Sequence, residues 1–302
     1  MKFSDMLKRA FIDEYWVCAW RLLSDDELFA VTDDSAVHEY QPVRTRADAW
    51  SADPFLIERN GKKYLFCELM QKGAKKASIG CAEVTEAGIG RVRPVLRIGA
   101  HLSYPAVFEH KDVVYMLPET RSERKLTLWR AVDFPNTWEQ TAVLLDDVEV
   151  ADATPWWDGR SWVLFLYEPD DEHNRRTLCT ATLNPAAGTL GVIRERAVYT
   201  EKTGRPAGTP FRLGSKRIRP TQIGVRRYGE AIAYREMVIN SRTFAERDFG
   251  RLSPDCVRVR GYRNILGIHT INRLGHIEVI DVLYRKFAPF RALRRLFLRG
   301  GA

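Results

Sequence analysis

The 302-residue sequence predicts an all-β fold, a five-bladed β-propeller with short terminal helices. Three observations carry this. A hairpin pattern returns five times, each hairpin is followed by further strand-like segments, and amphipathic helical pattern is confined to the two ends. The hairpin first reads at Asp53, in ADPFLIERNGKKYLFCEL, as an apolar strand, an Asn-Gly turn and a second apolar strand. It returns at 103–120, at 151–168 with Asp-Gly as the turn, at 205–222 and, slightly shortened, at 267–284. Alignment on Gly61, Asp112, Gly159, Gly214 and Gly275 gives spacings of 51, 47, 55 and 61 residues, about one four-stranded blade each.

The outer strands follow in order. ASIGCAEV and RVRPVLRIG succeed the first hairpin, KLTLWRAV and QTAVLLDD the second, TLCTATLN and IRERAVYT the third, and EAIAYREMVI and CVRVRG the fourth. The fifth hairpin has no strands after it, so the N-terminal EYWVCAWRLL is expected to pair there and close the ring. The chain divides into an N-terminal segment 1–44, a propeller 45–284 and a basic tail 285–302, with short helices expected at 3–11 and 287–298. A two-domain α/β reading fails because no βαβ alternation and no Gly-rich phosphate loop appears.

The formal net charge is +8, with 47 Lys and Arg against 39 Asp and Glu. The stretch 284–299 holds six basic residues and no acidic one, which leaves the body only weakly basic. Nucleic acid is therefore not an expected partner. The five cysteines are scattered in apolar runs with no CxxC, as for buried free thiols in a reducing compartment. No stretch reaches 18 apolar residues, and the N-terminus lacks the apolar run of a secretory signal. The cytoplasm is the expected location.

In a propeller the first strand of each blade lines the central channel. The start of strand one and the end of strand two then lie on the face opposite the hairpin turn. Asp53, Tyr104, Asp152, Arg205 and His269 begin the inner strands, and Glu68, Glu119, Tyr167 and Gln222 end the second ones. These polar residues are expected around one funnel. Carboxylates crowded there should have raised and split pKa values, the condition for an acid and a base at neutral pH. Glycoside cleavage requires such a pair. Trp50, Tyr104 and Trp156 offer aromatic faces for sugar rings, although one of Trp156 and Trp157 is expected in blade-to-blade packing. Arg97, Arg121, Arg205 and Arg219 are candidates to clamp an anionic group or to neutralise the acidic cluster.

The segments ADPFLIERNGKKYLFCE, HLSYPAVFEHKDVVYMLPET, ADATPWWDG, RPAGTPF and GIHTIN resemble the five-bladed propeller domain at the N-terminus of glucosamine inositolphosphorylceramide transferases. That domain is similar to the propellers of glycoside hydrolase families 43, 32, 68 and 130. The resemblance implies Asp53 as base or nucleophile and Asp152 as the tuning carboxylate. The inner strand of blade four carries no Glu, so Glu119 is taken as the acid, with Glu68 in reserve. Glu68, Tyr104, Trp50, Trp156, Arg205 and His269 would bind substrate. Some related propellers hold a channel metal through a histidine, which points to His269; the residues themselves require no metal and no cofactor.

Two functions stay open. One is an enzyme cleaving or transferring a glycosyl unit in polysaccharide or glycolipid metabolism. The other is a non-catalytic glycan-binding or scaffold module of such a pathway. In the tail, Phe287, Phe290, Leu293 and Phe297 fall near one helical face with arginines elsewhere. This suits either an anionic membrane surface, at the inner membrane face, or packing on the propeller rim.

Overall fold

A computed structural model describes residues 12–240 and 243–287. The helices expected at 3–11 and 287–298, and all of the basic tail beyond Phe287, fall outside the described residues, as do the side chains of Ile12 and Phe287. Five sheets, antiparallel except for one outer pair in the last, succeed one another along the chain as blades 1 to 5. Blade 1 runs Ala49–Arg59, Lys62–Gln71 and Ser78–Thr85, with Gly88–Ile89 and Arg93–Leu96 at its edge. Blade 2 is Ser103–His110, Val113–Thr120, Lys125–Asp133 and Thr137–Asp146. Blade 3 begins with Ala151–Trp157, Trp162–Asp170 and Arg175–Asn184. Blade 4 comprises Thr203–Pro206 and Phe211–Leu213, then Lys216–Ile223, Ala231–Ile239 and Phe244–Leu252.

The five residues used to align the repeat all have positive φ: Gly61 at 72°, Asp112 at 62°, Gly159 at 106°, Gly214 at 58° and Gly275 at 56°. Turns of this hand match the twist of the flanking strands. The periodicity seen in the sequence is thus a periodicity of turn geometry.

Blade 5 is completed from the N-terminus. Ile12–Leu22 pairs with Ile277–Phe287 over eleven residues, from Ile12 opposite Phe287 to Leu22 opposite Ile277. His38–Pro42 adds the next strand and Val257–Val259 lies parallel to it. This corrects the expectation for CVRVRG, which belongs to the outside of blade 5 rather than to blade 4. The outer strand of blade 4 is Phe244–Leu252, whose charged FAERDFGRL hides strand character because its partly buried face uses Glu246, paired with Arg219, where an apolar residue would mark it.

Cores fill the spaces between blades. One cluster joins blades 1, 2 and 3 through Phe66, Leu102, Met116, Leu128 and Leu164. Another joins blades 4 and 5 through Tyr40, Ile232, Tyr234 and Ile280. Cys18, Leu65 and Val279 belong to the cluster between blades 5 and 1. Four of the five free thiols are buried; Cys256 is half-buried.

The closure is pinned by one buried carboxylate. Glu278 is fully buried and accepts hydrogen bonds from Arg21 Nε at 2.8 Å, Arg273 Nε at 2.7 Å, Tyr40 Oη at 2.7 Å and Thr32 Oγ1 at 2.7 Å. Burial alone would raise its pKa, but Arg273 and Arg21 outweigh burial and hold it below the usual range. Removing one partner leaves buried charge without compensation. Glu278→Ala is therefore expected to lower unfolding free energy by about 3–5 kcal/mol in denaturant titration. A loss below about 1 kcal/mol would show that the N-terminal strand does not depend on this knot.

Candidate functional site

The site is built on a bulge repeated in four blades. In each inner strand two residues oppose one residue of the neighbouring strand: between Ala52 and Phe55, Ser103 and Ala106, Ala151 and Thr154, and Thr203 and Pro206. The first bulged residue has positive φ in all four: Asp53 at 51°, Tyr104 at 43°, Asp152 at 49° and Gly204 at 79°. Three of these are not glycine, and a left-handed backbone at such residues costs of order 1–3 kcal/mol each. Bulges of this kind re-aim backbone and side chain at sheet ends and beside functional sites. By this register Gly204, not Arg205, is the blade 4 counterpart of Asp53. A Cβ at Gly204 would lie 2.3 Å from the Tyr199 ring, so the position also excludes a side chain sterically.

The bulge exposes a backbone N–H to the neighbouring blade, and a carboxylate of that blade takes it. Asp281 of blade 5 accepts the Asp53 amide at 2.8 Å. Asp53 accepts the Tyr104 amide at 3.1 Å, and Glu119 of blade 2 accepts the Asp152 amide at 2.9 Å. Arg205 of blade 4 then grips Asp152 with two nitrogens, Nε at 2.6 Å and Nη2 at 2.9 Å, and reaches Glu119 at 3.2 Å. Gln222 adds a bond to Asp152 at 2.7 Å. The Tyr104 hydroxyl contacts Thr154 Oγ1 at 2.9 Å and accepts the Gly208 amide at 2.9 Å. Asn272 of blade 5 bonds the Pro54 carbonyl and the Thr209 amide.

The expected residues Asp53, Tyr104, Asp152, Glu119, Arg205, Gln222 and His269 therefore do meet. Tyr167, opposite Ala151, donates its hydroxyl to the Thr203 carbonyl. Glu68 is buried and lies 3.3 Å from His101, whose pKa it raises by hydrogen bonding against the opposing effect of burial. Trp50 stands three residues before Asp53, half-buried and opposite Met70. Trp156 is misplaced as a sugar platform: it is buried with Phe165, Leu178 and Met237, in the packing between blades 3 and 4. Trp157 is the exposed member of the pair, but it sits at the hairpin end. Of the proposed clamps, Arg219 is buried against Glu246, Tyr199 and the Gly204 carbonyl. Arg121 pairs with Glu149, and Arg97 with Gln71.

Asp281, Thr270, Trp16 and Tyr228 were missed in the sequence. Asp281 is legible as the lone charge in VIDVLY, inside the strand Ile277–Phe287. It is fully buried and accepts the amides of Asp53, His269 and Thr270. His269 Nδ1 lies 2.7 Å from Asp281 Oδ1, a close ion contact without hydrogen-bond alignment, and Nε2 lies 3.4 Å from Asp53. The imidazole stacks on Trp16 with centroids 4.0 Å apart, and Tyr228 meets it edge-on at 5.1 Å.

Electrostatics follow from this packing. Burial pushes the Asp53 carboxyl up to about 7, with His269 opposing and Asp281, Glu68 and Asp152 reinforcing. Burial pushes Glu119 up to about 8, with Arg205 opposing. For His269 burial disfavours the cation, but Asp281 and Asp53 overcome it and carry the imidazolium up to about 9. Donor atoms of Asp53, His269 and Asp281 lie within 4.8 Å of one another, close enough for one metal ion. They do not fit one as they stand. Asp281 is engaged by three amides, Asp53 accepts Thr270 Oγ1 at 2.9 Å as well as the Tyr104 amide, and the imidazolium supplies the positive charge.

The fold defines the protein as a five-bladed propeller of glycoside hydrolase-like architecture. The chain belongs to the family described as glucosamine inositolphosphorylceramide transferase 1, N-terminal, which matches residues 40–260. The transferases of that name from Oryza sativa subsp. indica and Arabidopsis thaliana are 32% and 33% identical over 114 and 116 residues. Each alignment covers 37% of this chain and 15% of the relative. Among solved structures, β-1,2-mannobiose phosphorylase from Listeria innocua superposes with a TM-score of 0.56 at 10% identity, covering 84% of this chain and 94% of that one. The catalytic domain of the Coprinopsis cinerea family 62 α-L-arabinofuranosidase gives 0.54 at 11% identity, covering 89% and 98%. At these identities the likeness is one of fold.

The raised pKa values fix the direction of a pH effect. Asp53, Glu119 and His269 all bind their proton more tightly folded than unfolded, where ordinary values are about 3.9, 4.3 and 6.5. Their stabilisation is complete below those values and is lost as pH rises through about 7, 8 and 9. Thermal unfolding between pH 6 and 9 should show a midpoint falling with pH. Asp53→Asn, which removes one of these protons and keeps the shape, should show a shallower fall. A midpoint that rises over this window would contradict the assignment.

Proposed function

We propose that the channel mouth binds a carbohydrate, and that the propeller acts as a recognition domain in polysaccharide or glycolipid assembly. The observation that carries this reading is the commitment of the acidic groups. Asp53, Asp152 and Asp281 are buried, and each carboxylate is taken up by donors from a neighbouring blade. A general base or nucleophile needs a free lone pair directed at the reacting atom. Here those lone pairs hold the ring together and form a polar floor beneath the mouth. Above it Tyr228 is 52% exposed, on the rim between Arg205 and Trp16, and offers an aromatic face where Trp156 does not. The transferase names of the relatives support a sugar-bearing ligand, as do the glycoside-acting propellers of similar fold.

Catalysis is the second reading, and one observation favours it: Asp53 at about 7 and Glu119 at about 8 place carboxyls in the range for proton transfer at neutral pH. In that case Asp53 would be base or nucleophile, Asp152 the tuning carboxylate and Glu119 the acid. Contact of the basic tail with anionic lipid at the inner membrane face, and a cytoplasmic location, are part of the proposal and rest on sequence alone.

A glycan array followed by calorimetry separates the two readings. Recognition predicts a bound glycan that the protein does not turn over, with affinity reduced at least about tenfold in Tyr228→Ala and by less in Glu119→Gln. Turnover of a bound glycoside that Asp53→Asn abolishes, with the fold intact, would replace the first reading by the second. Failure of every glycan to bind would remove both.

A further inference from the structure

Beside the mouth, over blades 3 and 4, lies a cleft of about 310 Å³. Its wall includes Tyr167, Arg205, Gln222 and Tyr228, which border the carboxylate ring, and extends outward over Arg121, Arg176, Lys202, Arg226 and Arg227. Asp171 is the one acidic residue lining it. Most of these cations are committed. Arg205 holds Asp152 and Glu119, Arg121 holds Glu149, Arg176 holds Asp171 and Asn174, and Arg226 holds Glu230. Arg205 is therefore not the anion clamp that the sequence suggested.

Two cations differ. Among the described residues Lys202 has no ion-pair or side-chain hydrogen-bond partner, and it is exposed at the cleft. Arg227 approaches Glu14 at 3.8 Å, beyond hydrogen-bond length, and Arg285 already takes the same oxygen at 3.0 Å. Its Nε is buried without a partner. The rest of the side chain is not sealed in: it is 35% exposed and lines the cleft. Arg227 and Tyr228 both line the cleft, so an aromatic ring and a weakly paired cation border one space.

We propose that this cleft binds a sugar bearing an anionic group, a phosphate ester or a uronate carboxylate, with the sugar ring on Tyr228 and the anion between Lys202 and Arg227. The inference rests on the carbohydrate reading above and adds the charge of the ligand and the place where it is held. The volume lies at the lower end for ligand pockets and suits one sugar with its charged substituent. Guanidinium and ammonium donors to an oxyanion make stronger hydrogen bonds than neutral pairs, so charge rather than area supplies the selectivity.

The test is calorimetric titration of the protein with glucose, glucose 1-phosphate, glucuronate and inorganic phosphate, at two ionic strengths. The phosphate ester, the uronate or both are expected to bind at least about tenfold tighter than glucose, and more weakly at high salt. The comparison of the two anionic sugars identifies which group the site prefers. Lys202→Ala and Arg227→Ala should each remove most of that advantage. Lys202→Glu, an exposed change that does not disturb packing, should reverse the preference. Equal binding of glucose and both anionic sugars would overturn the proposal while leaving the carbohydrate reading standing. Binding of inorganic phosphate as tight as that of the phosphate ester would overturn the role of Tyr228. No binding of any sugar, neutral or charged, would overturn the carbohydrate reading and this proposal with it.

Discussion

The structure depends on one recurring contact: a left-handed residue at the start of an inner strand turns its N–H outward, and a carboxylate of the adjacent blade accepts it. Asp281 to Asp53, Asp53 to Tyr104 and Glu119 to Asp152 are three instances, and the Arg205 clamp on Asp152 carries the chain of contacts into blade 4. Each link spans a blade boundary where the apolar clusters alone give no directional registry. A bulge with φ near +50° is unfavourable at Asp53, Tyr104 and Asp152, and it persists because the carboxylates fix it from outside. Fold and site are therefore one network. Any chemistry or binding at the mouth draws on groups that also hold the blades together.

This dual use explains the electrostatics. Buried carboxylates survive only when paired or hydrogen-bonded. The ring supplies amides to Asp281, a guanidinium to Asp152, and an imidazolium sandwiched by Trp16 and edged by Tyr228 to Asp53. His269 takes the place a cation would otherwise fill. The acidic cluster that a sequence reader sees as catalytic potential is thereby mostly spent on structure. The exposed elements beside the ring are Tyr228 and the cations next to it.

Much of this was legible in the sequence. The five turn residues, their spacing and the alternation of the hairpins specify the blades, because positive-φ turns demand Gly, Asn or Asp at fixed offsets. The gathering of Asp53, Glu119, Asp152, Arg205 and His269 also followed from the repeat. What did not follow has physical causes. Blade 4 has extra residues between its bulge and its turn, with ten from Gly204 to Gly214 against eight from Asp53 to Gly61, so Gly204 rather than Arg205 occupies the repeated position. Trp156 and Trp157 are adjacent and point to opposite sides, and the sequence does not say which is buried. Phe244–Leu252 carries no apolar alternation because its covered face is held partly by Glu246, which pairs with buried Arg219, and its other face is charged. Tyr228 lies in the loop RRYGE, where no periodicity marks it.

Amide hydrogen exchange measured by NMR at Asp53, Tyr104 and Asp152 tests the central contact most directly. If neighbouring-blade carboxylates hold these three N–H groups, they exchange slowly in the native protein, although each lies at an irregular bulge. Truncating one acceptor, as in Asp281→Ala, then accelerates the Asp53 amide far more than the Asp152 amide, which has its own acceptor. Rapid exchange at all three in the unaltered protein, or a uniform response to that truncation, would contradict the account.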